Sequence, residues 1–227
     1  MGSSRKTSII VGILFIVGTV TGILSGIFTE PVLSDQAYLA NLAANSNQIL
    51  IGVLCVLTMG FSLAMIPVMM FPIFKKYNEA LAIGSVVFRG ALETVGYILM
   101  ATSWLLLLTL GEEYVKVSAA APSHFQTFGT ILLSVNHQVN PILEITFSIG
   151  ALMIYFLFFQ SKLIPRWLSG WGLLGASVYF AAGLLALFGL ELDYLLYILA
   201  LQEMVLALWL IIKGFNPSGF SPVHASK

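Results

Sequence analysis

Six apolar runs dominate this 227-residue sequence, and each is about long enough to cross a lipid bilayer. A helix needs about 20 predominantly apolar residues to span the hydrocarbon core. The runs are Ser8 to Phe28, Ile49 to Phe74, Ala80 to Leu110, Phe125 to Phe159, Trp167 to Leu190 and Tyr194 to Ile212. The expected fold is therefore all-α, a polytopic membrane protein in which residues 1–216 form a single domain, a bundle of six transmembrane helices.

The composition predicts the same class of protein. Hydrophobic residues make up 59% of the chain, charged residues make up 9%, and the mean hydropathy is +0.97. In soluble domains about a quarter of the residues are charged. The formal net charge is zero and no basic patch occurs, which argues against nucleic acid as a partner. The single cysteine, Cys55, excludes an internal disulfide and a multi-cysteine metal site.

The loop charges indicate how the runs cross the membrane. In the predicted topology nearly all basic residues fall on the side that holds both termini: Arg5, Lys6, Lys75, Lys76, Lys162, Arg166, Lys213 and Lys227. The opposite side has Lys116 alone, and it carries Glu30, Asp35, Glu112, Glu113, Glu191 and Asp193. Cytoplasmic loops are enriched in lysine and arginine, so both termini are predicted to be cytoplasmic.

Two segments lie outside the predicted spans. The connection Thr29 to Gln48 is too polar to cross the bilayer, but five of its residues could share one apolar face: Leu33, Ala37, Leu39, Leu42 and Ala43. This pattern predicts a short helix on the outer surface, after the first span. Residues 217–227 contain two prolines and show no periodicity, so they are expected to form a mobile cytoplasmic tail.

The first run contains three glycines with a spacing of four residues, Gly18, Gly22 and Gly26. Such a double GxxxG pattern lets another helix backbone approach closely. The partner is either another helix of the chain or a second subunit. Because five other spans are present, we expect an internal neighbour, and a homo-oligomer through these glycines is the alternative.

Four charged residues lie deep inside the predicted spans. Arg89 and Glu93 are four residues apart in the third run and therefore share one side of a helix, while Glu144 and Glu203 lie in the fourth and sixth runs. Counting about 1.5 Å per residue from the cytoplasmic lysines places all four in the middle or outer-middle zone of the membrane. Facing lipid would cost each at least about 2.5 kcal/mol, so we expect them to form one cluster between helices.

The fourth run also carries a polar seam, a set of residues spaced by three or four positions. Its members are Thr127, Thr130, Ser134, His137, Pro141, Glu144 and Ser148. Such a face belongs against protein or water rather than lipid. By helical rise, His137 lies near the outer boundary of the membrane, where it is a candidate gate for access from outside.

One arginine against three carboxylates leaves a surplus of negative charge. Protons on the glutamates, a charged His137, or a bound metal or substrate cation would balance it. Intramembrane ionisable residues indicate a site for a proton or small polar solute in a transporter, channel or sensor, with Arg89 taking any carboxylate of the solute. The alternative is a structural or sensor membrane protein in which these charges only lock the helices together.

Two catalytic hypotheses have less support, and the balance is against an enzyme. His137, Glu144 and Glu93 could ligate a metal in an intramembrane hydrolase, but the seam has one histidine and no HExxH motif occurs. Ser134 and His137 could form a nucleophile pair, but nothing marks an oxyanion hole. The sequence therefore predicts no catalytic residue, no metal ligand and no cofactor.

Four phrases of the sequence are distinctive: "RKTSIIVGILFIVGTVTGILSGI", "FPIFKKYNEALAIGSVVFRGALE", "SKLIPRWLSGWGLLG" and "ALWLIIKGFN". In this order, from about residue 5 to residue 216, they resemble the bacterial membrane-protein family filed as domain of unknown function 4386. The resemblance implies a six-helix, multi-pass protein of the bacterial cytoplasmic (inner) membrane. It draws attention to Arg89, Glu93, Lys75, Lys76, Pro165, Arg166 and Trp167, and it assigns none of them a catalytic role.

Overall fold

The computed structural model describes residues 3–117, 123–190 and 192–220, and these ranges are helical without any strand. The α-helices are α1 Ser3–Leu33, α2 Tyr38–Ala44, α3 Ser46–Phe74, α4 Glu79–Ser85, α5 Glu93–Lys116, α6 His124–Ser161, α7 Arg166–Ala186 and α8 Tyr197–Ile212. A π-helical segment, Val86–Leu92, joins α4 to α5 without a break. Short 3-10 turns cover Asp193–Leu195 and Pro217–Phe220.

Five helical units are long and apolar enough to cross a membrane: α1, α3, the continuous unit Glu79–Lys116, α6 and α7. Helix α8 is also apolar, but it has only 16 residues, fewer than the about 20 that a perpendicular span needs. The chain is thus an all-helical, multi-pass membrane protein. The sixth predicted run, Tyr194 to Ile212, is divided between a 3-10 turn and α8.

The long helices form a closed ring in chain order. Helix α1 packs against α3, α3 against the π-helical segment and α5, α5 against α6, α6 against α7, and α7 against α8. Helix α8 packs against α1 and so closes the ring. Short connections favour contact between consecutive antiparallel helices, which explains this order. One interior is therefore shared by helices from both halves of the chain.

Both ends of the described chain meet at one end of the ring, which we call the terminal end. The Arg5 side chain donates hydrogen bonds to the carbonyl oxygens of Leu210 and Ile211 at 3.2 and 2.6 Å, tying α1 to the last turn of α8. The Asn216 N–H donates to the Leu163 carbonyl, in the loop between α6 and α7, at 2.8 Å. Buried apolar side chains fill the ring here, among them Phe15, Met70, Phe74, Phe158, Leu168 and Leu210.

The short helix predicted after the first span is present as α2, and it packs on the other end of the ring. Its residues Tyr38, Leu39 and Leu42 are buried. A Cβ atom placed on Gly111 of α5 would lie 2.7 Å from the Leu39 carbonyl oxygen, so α5 needs glycine where α2 crosses it. A second apolar cluster, which includes Val53, Ala101, Trp104 and Leu107, lies beneath α2.

Two of the three glycines in α1 face α3. A Cβ atom on Gly18 would lie 2.6 Å from Cδ2 of Leu63, and one on Gly22 would lie 2.5 Å from Sδ of Met59. Both positions therefore serve the internal packing that we expected. A Cβ atom on Gly26 would have no atom within 4 Å, and a homo-oligomer through this face stays a prediction.

The predicted tail is described in part. Residues 217–220 form a 3-10 turn, and the Phe220 ring contacts the Phe215 ring with 6.2 Å between centroids. Residues 221–227, with Lys227, lie outside the described residues, as does Glu191. The predicted mobility of residues 217–227 stays a prediction.

Candidate functional site

Arg89 lies in the π-helical segment, at the middle of the ring wall. Such segments are rare and occur frequently at functional sites. Gly150 of α6 packs directly onto it, because a Cβ atom on Gly150 would lie 2.6 Å from the Arg89 backbone nitrogen. The missing side chain at Gly150 lets α6 approach the backbone that holds the arginine.

The Arg89 side chain is 1% exposed and pairs with two carboxylates. Its Nη2 donates a hydrogen bond to Oε1 of Glu203 on α8 at 3.0 Å, and its Nη1 lies 3.5 Å from Oε2 of Glu93 on α5. The guanidinium also lies over the ring of Phe147 on α6, with Cζ 4.1 Å from the centroid. Arg89 therefore links three helices of the ring.

Two tyrosines complete the surroundings of these carboxylates. The hydroxyl of Tyr97 donates to Oε1 of Glu93 at 3.0 Å, and that of Tyr155 donates to Oε1 of Glu203 at 3.4 Å. Sequence reasoning missed both tyrosines. Tyr97 is four residues after Glu93 on the same helix, and this spacing was a usable signal. Tyr155 has no comparable signal, because its partner is 48 residues away on another helix.

Two polar atoms of this cluster are buried and have no hydrogen-bond partner, namely Nη1 of Arg89 and Oε2 of Glu93. They face each other at 3.5 Å, within ion-pair range but too far apart for a good hydrogen bond. Buried polar atoms in native proteins nearly always have partners. The exception here draws attention to the space beside the pair.

A cavity of about 480 Å³ lies in that space, inside the ring. Its volume is in the range of small-molecule sites, roughly 300–1,000 Å³. Helices α1, α3, α5, α6, α7 and α8 all contribute to its lining, as does the π-helical segment. Its lining includes the polar residues Thr19, Arg89, Glu93, Tyr97, Asn140, Glu144, Tyr179 and Glu203. Arg89 is thus held by carboxylates and also borders open space.

The structure places the two remaining predicted site residues differently. Glu144 is partly buried and lines the cavity beside Arg89, Glu93 and Glu203. His137, two turns earlier on α6, is exposed and is not among the lining residues. Asn140, between them, is exposed and lines the cavity.

The predicted polar seam of α6 therefore has two parts. Its members Glu144 and Ser148 are at least partly buried, and Glu144 faces α7, where a Cβ atom on Gly183 would lie 2.8 Å from the Glu144 Cβ. The remaining polar members toward the α6 start are exposed on the bundle: Thr127, Thr130, Ser134 and His137. A gating role for His137 stays a prediction.

The ligand set of the hydrolase hypothesis does not assemble. Among the described residues, no group of three or more His, Cys, Asp and Glu side chains is placed to hold a metal ion. Glu93 is buried next to Arg89, whereas His137 lies on the bundle surface.

Comparison with known proteins identifies the family but no activity. The model of the family described as Domain of unknown function (DUF4386) matches residues 10–214, a range that includes every residue lining the cavity. No curated protein and no solved structure matches the chain. The family that the sequence phrases resemble is therefore confirmed.

Proposed function

Given that the chain belongs to the family described as Domain of unknown function (DUF4386), we propose that it is a six-span protein of the bacterial cytoplasmic membrane whose central cavity binds a proton or small polar solute. One observation carries this proposal. The cavity next to buried Arg89 has three carboxylates in its lining, from Glu93, Glu144 and Glu203. Ionisable residues at membrane depth are costly, and they typically mark ion pathways and substrate sites.

The six-span topology is supported by length and charge. Helix α8 rises about 24 Å over its 16 residues, and the 3-10 turn before it adds about 6 Å, so together they approach the hydrocarbon thickness of about 30 Å. Arg5, Lys75, Lys162 and Lys213 belong to segments at the terminal end of the ring. An excess of basic residues there supports cytoplasmic termini.

A second candidate is a purely structural role for the charges. It is favoured by the pairing of Arg89 with Glu93 and Glu203, which joins α5 and α8 across the ring. A clasp of this kind needs no open space beside it and no third carboxylate. The cavity and the position of Glu144 on its wall favour the binding role.

Proton flux into liposomes tests the proposal. We would reconstitute the purified protein into liposomes that enclose a pH-sensitive dye and impose a pH gradient across their membrane. The same purified protein would be examined by native mass spectrometry for a retained small molecule. Glu93→Gln and Glu203→Gln are expected to abolish the flux or the retained mass. Glu112→Gln is the matched control, because it makes the same change at an exposed position near the end of α5.

The variants must be folded for the result to be interpretable. Each variant must match the wild-type protein in elution volume and must unfold in one transition above the assay temperature, because an unfolded variant would also lose flux. Absence of both flux and retained small molecule in the folded wild-type protein would contradict the proposal and favour the structural role.

A further inference from the structure

The cavity lining carries more acidic than basic side chains. Of the described residues that line it, Glu93, Glu144 and Glu203 are acidic, and Arg89 is the one lysine or arginine. The single charge of Arg89 is shared between two of these acids, at 3.0 and 3.5 Å. Several ionised carboxylates around one buried cation are costly to keep away from water. The site therefore favours a ligand that brings positive charge.

Arg89 is poorly placed to take an anionic ligand. Both of its terminal nitrogens already face carboxylates, Nη2 in a hydrogen bond with Glu203 and Nη1 in an ion pair with Glu93 at 3.5 Å, and the Phe147 ring covers one face of the guanidinium at 4.1 Å. A ligand carboxylate would have to displace Glu93 or Glu203 and would add to the surplus of negative charge. The sequence suggested that Arg89 binds a carboxylate of the solute. The surroundings of Arg89 favour a cationic ligand instead.

The cavity also has the aromatic walls that suit an organic cation. Tyr97, Phe147 and Tyr179 line it, and the Phe147 and Tyr179 rings meet edge to face with 4.8 Å between centroids. Aromatic faces attract ammonium groups, and the attraction is larger when the cation is desolvated. A hard metal ion instead needs several oxygen ligands, and no metal-holding group occurs in the described ranges.

A second, independent feature points to a ligand with a hydrogen-bond donor. Glu93 lines the cavity with a side chain that is 1% exposed, and its Oε2, which faces Nη1 of Arg89 at 3.5 Å, accepts no hydrogen bond. A charged N–H donor reaching a carboxylate makes one of the stronger hydrogen bonds in proteins. A primary ammonium supplies both this donor and the missing charge.

We propose that the cavity binds a small organic ammonium compound with an apolar body, an inference that rests on the proposed function and specifies its solute. The ammonium group lies among the carboxylates and aromatic rings. The apolar body lies against the remaining wall, which includes Met59, Leu63, Met100, Leu143 and Leu199. The ligand class thus combines one positive charge with apolar surface.

The cavity is not closed off from the surface of the bundle. Three of its lining residues are exposed on the bundle surface: Ile23 of α1, which is 60% exposed, Asn140 of α6 and Ala200 of α8. Two of the three, Ile23 and Ala200, are apolar and lie in the apolar helices α1 and α8. An amine with an apolar body partitions into the membrane interface, and such a ligand suits a lining that is apolar where it is exposed on α1 and α8.

The test uses three probes with the same phenyl ring and different charge: 2-phenylethylamine, 2-phenylethanol and 3-phenylpropanoate. Binding to the full chain in detergent would be measured by isothermal titration calorimetry and by the shift of the unfolding midpoint that each probe causes. We expect the amine to bind at least about tenfold more tightly than the alcohol, since one charge interaction with carboxylates and rings corresponds to a difference of this size. We expect no binding of the carboxylate.

Variants locate the bound amine. Glu144→Gln is expected to weaken amine binding about tenfold, because it removes one carboxylate of the wall without touching the two that pair with Arg89. Glu93→Gln should also weaken amine binding about tenfold, provided that the variant folds. Glu112→Gln, which changes an exposed position outside the cavity, should bind the amine as the wild-type protein does.

The outcomes separate this inference from the proposed function. If the alcohol or the carboxylate binds as tightly as the amine, the cavity is a binding site but not for cations, and only the ligand class is overturned. Proton flux without binding of any probe has the same consequence. Amine affinity that is unchanged in both Glu144→Gln and Glu93→Gln would place the amine elsewhere and overturn the inference. Absence of probe binding, of proton flux and of any retained small molecule would overturn both proposals.

Discussion

Two ion pairs occur along the continuous helical unit Glu79–Lys116, one in the ring wall and one near its end. Arg89 and Glu93 are 3.5 Å apart, and each side chain is 1% exposed. Lys116 and Glu113 are 2.7 Å apart, and their side chains are 67% and 54% exposed. The attraction between the charges is nevertheless weaker in the shorter pair, because water solvates both partners and salt screens them. Burial, not the distance between the charges, decides what each pair does.

The buried pair has a further property that the exposed pair lacks. Taking Arg89 and Glu93 out of water costs free energy that their attraction only partly offsets, so the intact pair stabilises the fold little in net terms. Removing one partner is different, because it leaves the other charge buried without compensation. Substitutions in the two regions should therefore differ far more than the two distances suggest.

Arg89→Ala should have the largest effect. It leaves the carboxylates of Glu93 and Glu203 buried without their cation, and we expect the free energy of unfolding to fall by about 3–5 kcal/mol. Reversible unfolding in mixed detergent, followed by circular dichroism, would measure this loss. A loss below about 1 kcal/mol would mean that the two acids carry protons and need no arginine, contrary to the pairing described here.

Gly150→Ala should come next, because it pushes α6 away from the backbone of Arg89. The added Cβ atom would lie 2.6 Å from the Arg89 nitrogen, which cannot move aside as a flexible side chain can. We expect a loss of about 1–3 kcal/mol in the same unfolding measurement. Gly26→Ala is the matched control, since its Cβ atom would have open space and alanine is the better helix former. Equal effects of the two changes would contradict close packing at Gly150.

Tyr97→Phe should have the next largest effect on the free energy of unfolding. It removes the hydroxyl that donates to Oε1 of Glu93 and leaves both oxygens of this buried carboxylate without a hydrogen bond. The expected loss is about 1–3 kcal/mol of unfolding free energy. Tyr155→Phe serves as the comparison, because its hydroxyl is 3.4 Å from Glu203, which keeps its bond to Arg89. A larger loss for Tyr155→Phe would show that Glu203, not Glu93, depends more on its tyrosine.

The sequence identified the core of the site because helical spacing and depth are local properties. The spacing of four residues predicts that Arg89 and Glu93 share a face, and counting along the helices places Glu203 in the same zone of the membrane. The structure joins these three residues. His137 shows the limit of the same reasoning. It shares a face with Glu144, yet it is exposed, because periodicity does not say which neighbour covers each part of a long helix.

The fold was predictable to a similar depth. Apolar length identified the five long helices, and the apolar face after the first span identified α2. An apolar run does not define where a helix begins and ends: α1 extends beyond its run at both ends, whereas a 3-10 turn takes the start of the last run, so α8 is shorter than expected. The π-helical segment has no sequence signal that we recognise, since Val86–Leu92 reads like the rest of its run.

Glu113→Gln should have the smallest effect. It removes one partner of the exposed pair, and Lys116 then remains solvated, so we expect an unchanged unfolding midpoint at low and at high salt. Glu93→Gln makes the same chemical change inside the ring, and it should lower the midpoint because Arg89 keeps one carboxylate instead of two. Measuring both variants side by side isolates burial as the variable. If Glu113→Gln lowered the midpoint as much as Glu93→Gln, burial would not explain the difference between the two ion pairs. The charges at the cavity would then contribute to stability no differently from those at the end of the helix.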